Sequence, residues 1–417
     1  MKTIIDLHLH SHYSRATSHQ LNIEGIAKFA AIKGVDIIAT GDLVHPAWLK
    51  EIEEKLQEDG SGFLQLKDHS FKTQFALFGE ISNIYKKNGK ARRIHTVFGV
   101  SSLLAAKKIS KKLASLGYNI THDGRPIIGA DVVETAKIFL SIDPKTIIIP
   151  GHIWTPWFAL FGSKSGFDTT AECFGEMSKY VYAIETGLSS DPAMNWRVSD
   201  LNNKTILSNS DAHSAEKIGR EANVFNLPTR TYSALYGAIK ENKNLEYTIE
   251  FYPEEGKYHL DGHRDCGVRF TPQETRKHHG ICPKCGLPVV VGVMNRVEEL
   301  ADQTAKASKR KKIPFKSIVP LPEIIAECFA VKNIRSKKVQ AEFFKLIEKI
   351  GNEFYILLEA TEEELKKTAE PIVAEAIMRV RAGKLHIDPG YDGVFGTIKV
   401  FTEKERKKFQ PQQQGLF

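Results

Sequence analysis

The first extended stretch of the chain carries residue types that bind metal ions. In residues 3–10, strict alternation of polar and apolar side chains places Asp6, His8 and His10 on one face of a predicted strand. Because imidazole is the commonest side-chain ligand for zinc, iron and manganese, two histidines on one face indicate a metal site. The alternative is a half-buried strand whose polar face happens to hold two histidines.

Further acids and histidines follow later predicted strands, which alternate with helical patterns through the first 250 residues. The strands cover residues 35–40, 75–80, 93–98, 146–150, 180–184 and 205–207, and helices are predicted over residues 23–32 and 103–116. This alternation predicts an α/β barrel, in which the C-terminal ends of the strands meet at one rim. We expect the potential ligands at these ends to share one site: Asp42, Glu80, His152, Glu185, Asp211 and His213.

Each of these residues also has an ordinary structural interpretation. Asp42 can cap a helix, His152 can lie in a turn, and Glu185 can be a solvated carboxylate. His95 lies inside a predicted strand, so a hydrogen-bonded core histidine and a metal ligand are both compatible with its position. The recurrence of such residues at one rim favours a shared metal site over separate explanations for each.

The mixture of imidazoles and carboxylates predicts divalent ions and chemistry at phosphorus. A carboxylate such as Glu80 can bridge two ions about 3.5–4 Å apart, and such pairs promote hydrolysis of phosphate esters. Zinc, with magnesium or manganese, is the expected set of cofactors. Glu185 and Asp191 are catalytic candidates, because an acid on the rim can orient the attacking water. A turn aspartate before Pro192 explains Asp191 equally well.

Aromatic and basic residues near the predicted rim are candidate contacts to a nucleic acid. Trp154, Trp157 and Trp196 can stack on a base, although core packing is the usual fate of tryptophan. Arg15 and Arg264 are candidate DNA contacts, and a net charge of +8 with a pI near 9.0 suits an anionic partner. Without an apolar run long enough to span a membrane or a signal-peptide core, we expect a cytoplasmic protein.

A second metal pattern lies in the middle of the chain. His263 and Cys266 form one pair, Cys282 and Cys285 form another, and each pair has two residues between its members. Two such turns complete a tetrahedral zinc site, and a site with four protein ligands supports structure instead of catalysis. His259, His278 or His279 can replace His263 as the fourth ligand, although the spacing favours His263.

The C-terminal third is predicted to be mainly helical and basic. Amphipathic patterns cover residues 297–305, 338–350 and 361–381, a basic run covers residues 306–312, and the glycine-rich stretch 386–396 is predicted to be an ordered turn. We expect a catalytic barrel in residues 1–250, a zinc module in 251–296, a helical domain in 297–400 and a flexible tail in 401–417. Residues 413–417 resemble a shortened sliding-clamp-binding peptide, and a frayed terminus is the alternative.

The motifs DxHxH, TGD, GE, PGH and SxSDxH resemble those of the polymerase and histidinol phosphatase (PHP) family. The resemblance implies a distorted (βα)7 barrel with up to three metals. It implicates as ligands His8, His10, Asp42, Glu80, His152, Asp211 and His213. The family's usual Asp-His pair is Asp42-Leu43 here, so that histidine is either His45 or missing. Arg15 stands where the family commonly has an acid after the second serine of its first motif.

Within the PHP family, nearly the whole chain resembles endonuclease Q. The segments DLHLHSHYSRATS, TGDLVHP, ETGLSSDPAMNW and YHLDGHRDCGVR carry this resemblance. It implies a DNA repair endonuclease that recognises uracil, hypoxanthine, xanthine and abasic sites and cuts on the 5′ side of the lesion. We expect a monomer with damaged DNA as its partner. A small-molecule phosphoesterase of the histidinol phosphatase type, and a DNA-binding protein with an inactive rim, are the alternatives.

Overall fold

The computed structural model describes residues 1–308 and 311–409, and the first 250 residues form an α/β fold. Its strands are β1 Lys2–Asp6, β2 Ile37–Ala39, β3 Leu56–Glu58, β4 Leu64–Leu66, β5 Gln74–Ala76, β6 Phe78–Lys87, β7 Lys90–Gly99, β8 Ile127–Ile128, β9 Ile147–Pro150, β10 Ala183–Glu185, β11 Thr205–Leu207, β12 Ala222–Asn226 and β13 Leu245–Glu250. Its helices are α1 Ile23–Lys33, α2 Pro46–Lys55, α3 Leu103–Ser115, α4 Val132–Ile142, α5 Thr170–Phe174, α6 Pro192–Asn195 and α7 Tyr232–Glu241. The predicted α/β class is confirmed.

Short strands and helices make up the remainder of the described chain. They are β14 Asp261–His263, β15 Val268–Phe270, α8 Pro272–Lys277, α9 Val293–Leu300, β16 Phe315–Ser317, α10 Leu321–Cys328, α11 Lys337–Lys349, α12 Glu353–Leu358, α13 Glu362–Thr368, α14 Pro371–Arg381, β17 His386–Asp388, β18 Thr397–Lys399 and α15 Glu403–Lys407. The predicted helical C-terminal region is confirmed. The pattern over residues 361–381 forms two helices, because Pro371 lacks an N–H and begins α14.

Three sheets in the N-terminal part bring distant loops together. Eight strands pair in the order β16-β13-β12-β1-β2-β5-β4-β3, four pair in the order β8-β6-β7-β9, and β10 pairs with β11. Beyond the ends of β1 and β11, Leu9 bridges Ala212, while the Ile153 N–H after β9 donates to the carbonyl of Glu185 at the end of β10. The segments that follow β1, β9, β10 and β11 therefore lie beside one another.

Two of the predicted strands differ from the sequence interpretation. Strand β1 ends at Asp6, so His8 and His10 lie in the segment that follows it and do not belong to the strand. Glu80 is the third residue of β6, which continues into a long antiparallel hairpin with β7. Asn88 and Gly89 form its turn, with φ values of 52° and 73°, the left-handed geometry that two-residue hairpins need.

A single hydrophobic core joins the α/β part to the C-terminal helices. It contains residues of β1, α1 and β12 together with residues of α10, α12 and α14. Lys33 of α1 and Glu353 of α12 form a buried ion pair at 2.7 Å across this junction. The region around the cysteines has its own small core of Val268, Phe270, Cys282 and Val289. So few apolar contacts supply little folding free energy, which favours stabilisation by a metal.

The domain limits predicted above remain a prediction. Strand β16, which lies in the predicted helical domain, extends the large sheet beside β13, so this sheet crosses one of those limits. The tail residues 413–417, with their clamp-like motif, lie outside the described residues. Among the residues that the structure describes, no helix is long and apolar enough to cross a membrane.

Candidate metal centre

Six of the predicted ligands form two adjoining clusters, which we call the candidate metal centre. His8, His10 and Asp211 form the first cluster, and Glu80, His95 and His152 form the second. Within each cluster, the potential ligand atoms all lie within 4.8 Å of one another. The Glu80 carboxylate connects the clusters, because its oxygens lie 3.7 Å from His8 Nε2 and 3.6 Å from His10 Nε2.

Carboxylates orient the two histidines that follow β1. His8 Nδ1 lies 3.0 Å from both oxygens of Glu185, and His10 Nδ1 lies 3.4 Å from Asp42 Oδ1. Both Nε2 atoms therefore point to the opposite side, where Asp211 Oδ1 lies 3.5 Å from His8 and 3.1 Å from His10. A carboxylate behind the far ring nitrogen is the usual support of a metal-binding histidine.

The His8 ring supplies a direct test of whether a cation fits. Its Nε2 is buried and has no hydrogen-bond partner within residues 1–308 and 311–409. A buried nitrogen without a partner costs free energy, and a divalent ion between His8, Asp211 and Glu80 would remove that cost. The donor set of imidazoles and carboxylates suits zinc or manganese. The residues therefore fit a metal.

The electrostatics of the clusters also favour bound cations. Burial alone would lower the pKa of His8, but the carboxylates of Glu185, Asp211 and Glu80 raise it well above its usual value. Despite burial, which acts in the opposite direction, His95 and His8 hold the pKa of Glu80 well below its usual range. Burial lowers the pKa of His95 to about 4, so this ring stays neutral and can offer a lone pair.

Three residues of this region have strained backbone conformations. Asp42, His152 and Asp211 have φ values of 45°, 29° and 46°, in the left-handed region that non-glycine residues seldom adopt. Each such residue costs about 1–3 kcal/mol and persists only where the surrounding structure fixes it. Arg220 supplies part of that restraint, because its guanidinium donates to the carbonyls of Ser210 and Asp211.

The predicted zinc ligands also come together. Potential ligand atoms of His263, Cys266, Cys282 and Cys285 all lie within 4.8 Å of one another, and Cys285 Sγ is 4.0 Å from His263 Nε2. Gly267 and Gly286 follow the two pairs with φ values of 60° and 74°, which allow the chain to reverse. All five cysteines, each of which is a described residue, are free thiols. Four convergent ligands match a structural zinc site.

Comparison with known structures decides the family. The crystal structure of the lesion-specific endonuclease PfuEndoQ from Pyrococcus furiosus has a TM-score of 0.84 and 30% identity, covering 96% of this chain and 95% of that one. An endonuclease Q complex with a 27-mer duplex substrate, with an abasic lesion at the active site, has a TM-score of 0.83 and 30% identity, covering 98% of each chain. The chain belongs to the endonuclease Q family.

Comparisons of sequence agree with membership of the endonuclease Q family. A PHP-associated family model matches residues 194–244, and an MJ0043 C-terminal domain model matches residues 320–384. The uncharacterised protein MJ0043 of Methanocaldococcus jannaschii is 36% identical over 273 residues; the match covers 63% of this chain and about a third (33%) of that protein's length. The uncharacterised protein YqxK of Bacillus subtilis is 28% identical, covering 88% of this chain and 89% of that one. The α/β PHP-domain fold with a helical C-terminal region is thus confirmed.

The two predicted catalytic acids of this endonuclease Q family member, Glu185 and Asp191, form hydrogen bonds that support the surrounding structure. Glu185 is fully buried behind His8, and it also accepts hydrogen bonds from the His152 backbone at 2.9 Å and from Asn209 Nδ2 at 2.9 Å. Asp191 caps the N-terminus of α6 by accepting from the Met194 N–H at 2.8 Å. Neither carboxylate belongs to the two clusters, so the structure places Glu185 as a support for His8 and Asp191 as a helix cap.

Three other predicted ligands lie at the edge of the centre or outside it. Asp42 accepts from the Ser11 backbone and from the Ser14 hydroxyl as well as from His10, so it stands behind that ring. His45 caps α2 through Nδ1 and donates from Nε2 to the Thr121 carbonyl at 3.1 Å, so both of its nitrogens are occupied. The ring of His213 lies 4.5 Å from that of His10, beside the first cluster.

The predicted aromatic and basic contacts occupy different environments. Trp154 is buried and donates to Asn195 Oδ1, so core packing is the correct interpretation. Trp196 is half-buried against Phe315, whereas Trp157 is exposed. Arg15 is exposed and hydrogen-bonds His122, and Arg264 is exposed beside the cysteine cluster. Trp157 and the two arginines are therefore accessible to a partner, whereas Trp154 is not.

Sequence reasoning missed an arginine at the centre. Arg125 Nη1 lies 3.2 Å from Glu80 Oε2, and the side chain keeps 27% of its surface exposed. Although burial opposes it, the Glu80 carboxylate raises the pKa of Arg125. Its neighbour Gly124 lies so close to Asp42 that an added Cβ would stand 2.0 Å from Oδ2. The dipeptide Gly124-Arg125 was a visible signal, because glycine beside a charged residue often marks a close backbone approach.

Proposed function

We propose that this protein is a metal-dependent DNA repair endonuclease that hydrolyses the phosphodiester on the 5′ side of a damaged nucleotide. Its substrates would be duplexes containing uracil, hypoxanthine, xanthine or an abasic site. The observation that carries the proposal is the buried, unpartnered Nε2 of His8 (within the described chain) inside a two-cluster centre, in a member of the endonuclease Q family. The related endonuclease Q complex holds a duplex substrate with an abasic lesion at its active site, and this supports the substrate class.

The two clusters would hold the metal ions. His8, His10 and Asp211 would bind one ion, His95 and His152 would bind a second, and Glu80 would bridge them. When bound there, divalent ions would supply an ionised water and would offset negative charge on the leaving oxygen. Zinc with magnesium or manganese suits this mixed donor set. His213 beside the first cluster is the candidate ligand for a third ion.

The protein's own groups would position the substrate. Arg125 touches Glu80 with one nitrogen and keeps further N–H donors for a phosphate oxygen, which a planar guanidinium binds well. Glu185 and Asp42 contact Nδ1 of His8 and His10 and thereby orient each ring so that its Nε2 faces the centre. Both clusters come from one chain, so we propose that a monomer suffices.

A cavity beside the centre is the proposed position of the extruded nucleotide. Its volume is about 230 Å³, and Thr155, Ser189, Tyr258 and His259 are among its lining residues. Thr155 Oγ lies 3.1 Å from His152 Nδ1, so a residue of the cavity wall is in direct contact with a residue of the second cluster. A damaged base pairs poorly and costs less to extrude from a duplex than a normal base, which favours its capture here.

The β6–β7 hairpin offers a path for the DNA backbone. In its register Glu80, His95, Arg93 and Lys86 share one face, because directly paired and alternate residues of an antiparallel hairpin point the same way. Lys86 and Arg93 are exposed, and neither has an acidic partner in the part of the chain that the structure describes. Positive charges extending from the centre along one face suit successive phosphates of a strand.

The test is cleavage of end-labelled duplexes with zinc and with magnesium or manganese. We expect cutting 5′ to uracil, hypoxanthine and an abasic site, and none of the undamaged duplex. His8→Ala and Asp211→Asn should abolish cutting and largely spare DNA binding, whereas His12→Ala, in the same segment but outside both clusters, should keep activity. Hydrolysis of p-nitrophenyl phosphate without DNA cleavage would support the small-molecule phosphoesterase instead. DNA binding without cleavage would support a DNA-binding protein whose metal centre is inactive.

A further inference from the structure

An exposed phenylalanine lines the cavity beside the candidate metal centre. Phe395 is 70% exposed, the largest fraction among the large hydrophobic side chains of the described residues. It lies in the 389–396 loop between β17 and β18 and forms part of the wall of the 230 Å³ cavity. Because it borders a concave cavity, the exposed ring is accessible to a ligand bound there.

Backbone hydrogen bonds fix the loop that carries this ring. The N–H groups of Gly390, Gly393 and Gly396 donate to the carbonyls of Glu254, Lys257 and Glu255 at 2.8, 2.8 and 3.1 Å. The loop also packs tightly, since a Cβ on Gly396 would lie 2.1 Å from the Glu254 carbonyl oxygen. The Phe395 backbone is thus held on both sides before any ligand arrives, which reduces the entropy lost on binding.

A cation accompanies the exposed ring. Lys257 Nζ lies 5.7 Å from the centre of the Phe395 ring and 5.5 Å from that of Tyr258. Lys257 is exposed and, among residues 1–308 and 311–409, has no acidic partner. An aromatic ring next to an unpaired ammonium group matches one nucleotide step of DNA, because the ring can stack on a base and the ammonium can bind the adjacent phosphate.

We propose that Phe395 inserts into the base stack of duplex DNA beside the lesion and occupies the space that the extruded nucleotide leaves. This inference rests on the proposed function and assigns Phe395 a positioning role, because in this arrangement its ring would contact bases and not the reacting phosphate. Apolar side chains that enter a base step unstack it and stabilise a kinked duplex. The cavity that would receive the nucleotide is the one whose wall Phe395 forms.

Two substrates separate insertion from general DNA binding. One places uracil in a fully paired duplex, and the other places it in an unpaired bubble, where no base pair has to open. We expect Phe395→Ala to slow cleavage of the duplex by about tenfold to a hundredfold and to change bubble cleavage by less than about twofold. Phe395→Leu, which keeps an apolar wedge, should give an intermediate rate. Ile387→Ala, an exposed apolar position on the same hairpin, should leave both rates unchanged.

A fluorescence measurement provides a readout other than cleavage. With 2-aminopurine beside the lesion and Asp211→Asn as the background to prevent cutting, binding should raise the fluorescence as the base step opens. Adding Phe395→Ala to that background should remove the increase while binding persists. Equal losses on duplex and bubble, unchanged rates on both, or an unaltered fluorescence increase would each overturn the insertion role. Failure of the wild type to cut any lesion substrate would reject the proposed function, and the insertion role with it.

Discussion

A buried pair of glutamates should make the stability of this protein depend on pH. Glu221 and Glu250 are both fully buried, and burial is the main cause that raises both pKa values, that of Glu221 well above its usual value and that of Glu250 to about 8. Glu221 accepts from the Phe251 N–H at 3.2 Å through Oε1, while Oε2 has no partner among the described residues. Each of the two carboxyls, Glu221 among them, therefore retains in the folded protein a proton that the unfolded chain releases above about pH 4.5.

The sign and size of the Glu221 contribution follow from its retained proton. A raised folded-state pKa gives stability that is fully present below the unfolded value and is lost as the pH rises towards the folded one. One proton changes the free energy of unfolding by about 1.4 kcal/mol per pH unit, or about 2.7 kcal/mol between about pH 5.5 and 7.5. For 417 residues this corresponds to roughly 3 °C in unfolding temperature.

In the variant Glu221→Gln, the side chain has nearly the same shape, keeps an oxygen that accepts from the Phe251 N–H, and cannot ionise. We expect its unfolding temperature, measured calorimetrically on the metal-loaded protein, to rise relative to the wild type by roughly 3 °C from pH 5.5 to 7.5. Glu348→Gln, an exposed residue of α11, should show no such change. The same difference between variant and wild type at both pH values would mean that Glu221 holds no extra proton in the folded protein.

Three further predictions concern the metal sites and the DNA path. Glu185→Gln should weaken metal retention by about 10- to 100-fold, measured by chelator titration, because His8 loses its charged support; unchanged affinity contradicts this. Cys282→Ser should lose one zinc equivalent by elemental analysis and destabilise its small core, so full zinc content would disprove it. Lys86→Gln combined with Arg93→Gln should reduce the salt dependence of DNA binding by about 2 in log–log slope, and an unchanged slope excludes these contacts.

Much of the candidate metal centre could be predicted, because short sequence patterns show where strands end and which side chains follow them. Alternation in residues 3–10 placed His8 and His10 on one face, and the structure brings them together with Asp211. His95, an ambiguous residue inside a strand, joins Glu80 because the antiparallel register of β6 and β7 places both on one face. That register could be anticipated only in part, from the Asn88-Gly89 turn signal.

The roles of the supporting acids could not be predicted from the sequence. Whether Asp42 and Glu185 contact a metal or the far nitrogen of a histidine depends on separations of about 3 Å between residues far apart in the chain. His45 was ambiguous because a histidine before a proline can be a ligand or a helix cap. In the structure Nδ1 caps α2 and Nε2 donates to the Thr121 carbonyl, so neither nitrogen is left for a metal. The break between α13 and α14 was foreseeable, because Pro371 stands in the sequence.

The left-handed conformations of Asp42, His152 and Asp211 have an evolutionary consequence. At each position a glycine would relieve the strain of the backbone, because glycine adopts the left-handed conformation without steric cost. Variants selected only for resistance to heat should therefore accumulate substitutions at these positions and lose catalytic activity. Polar side chains at these three left-handed positions therefore cost this chain a few kcal/mol of folding free energy in exchange for the groups that build the site.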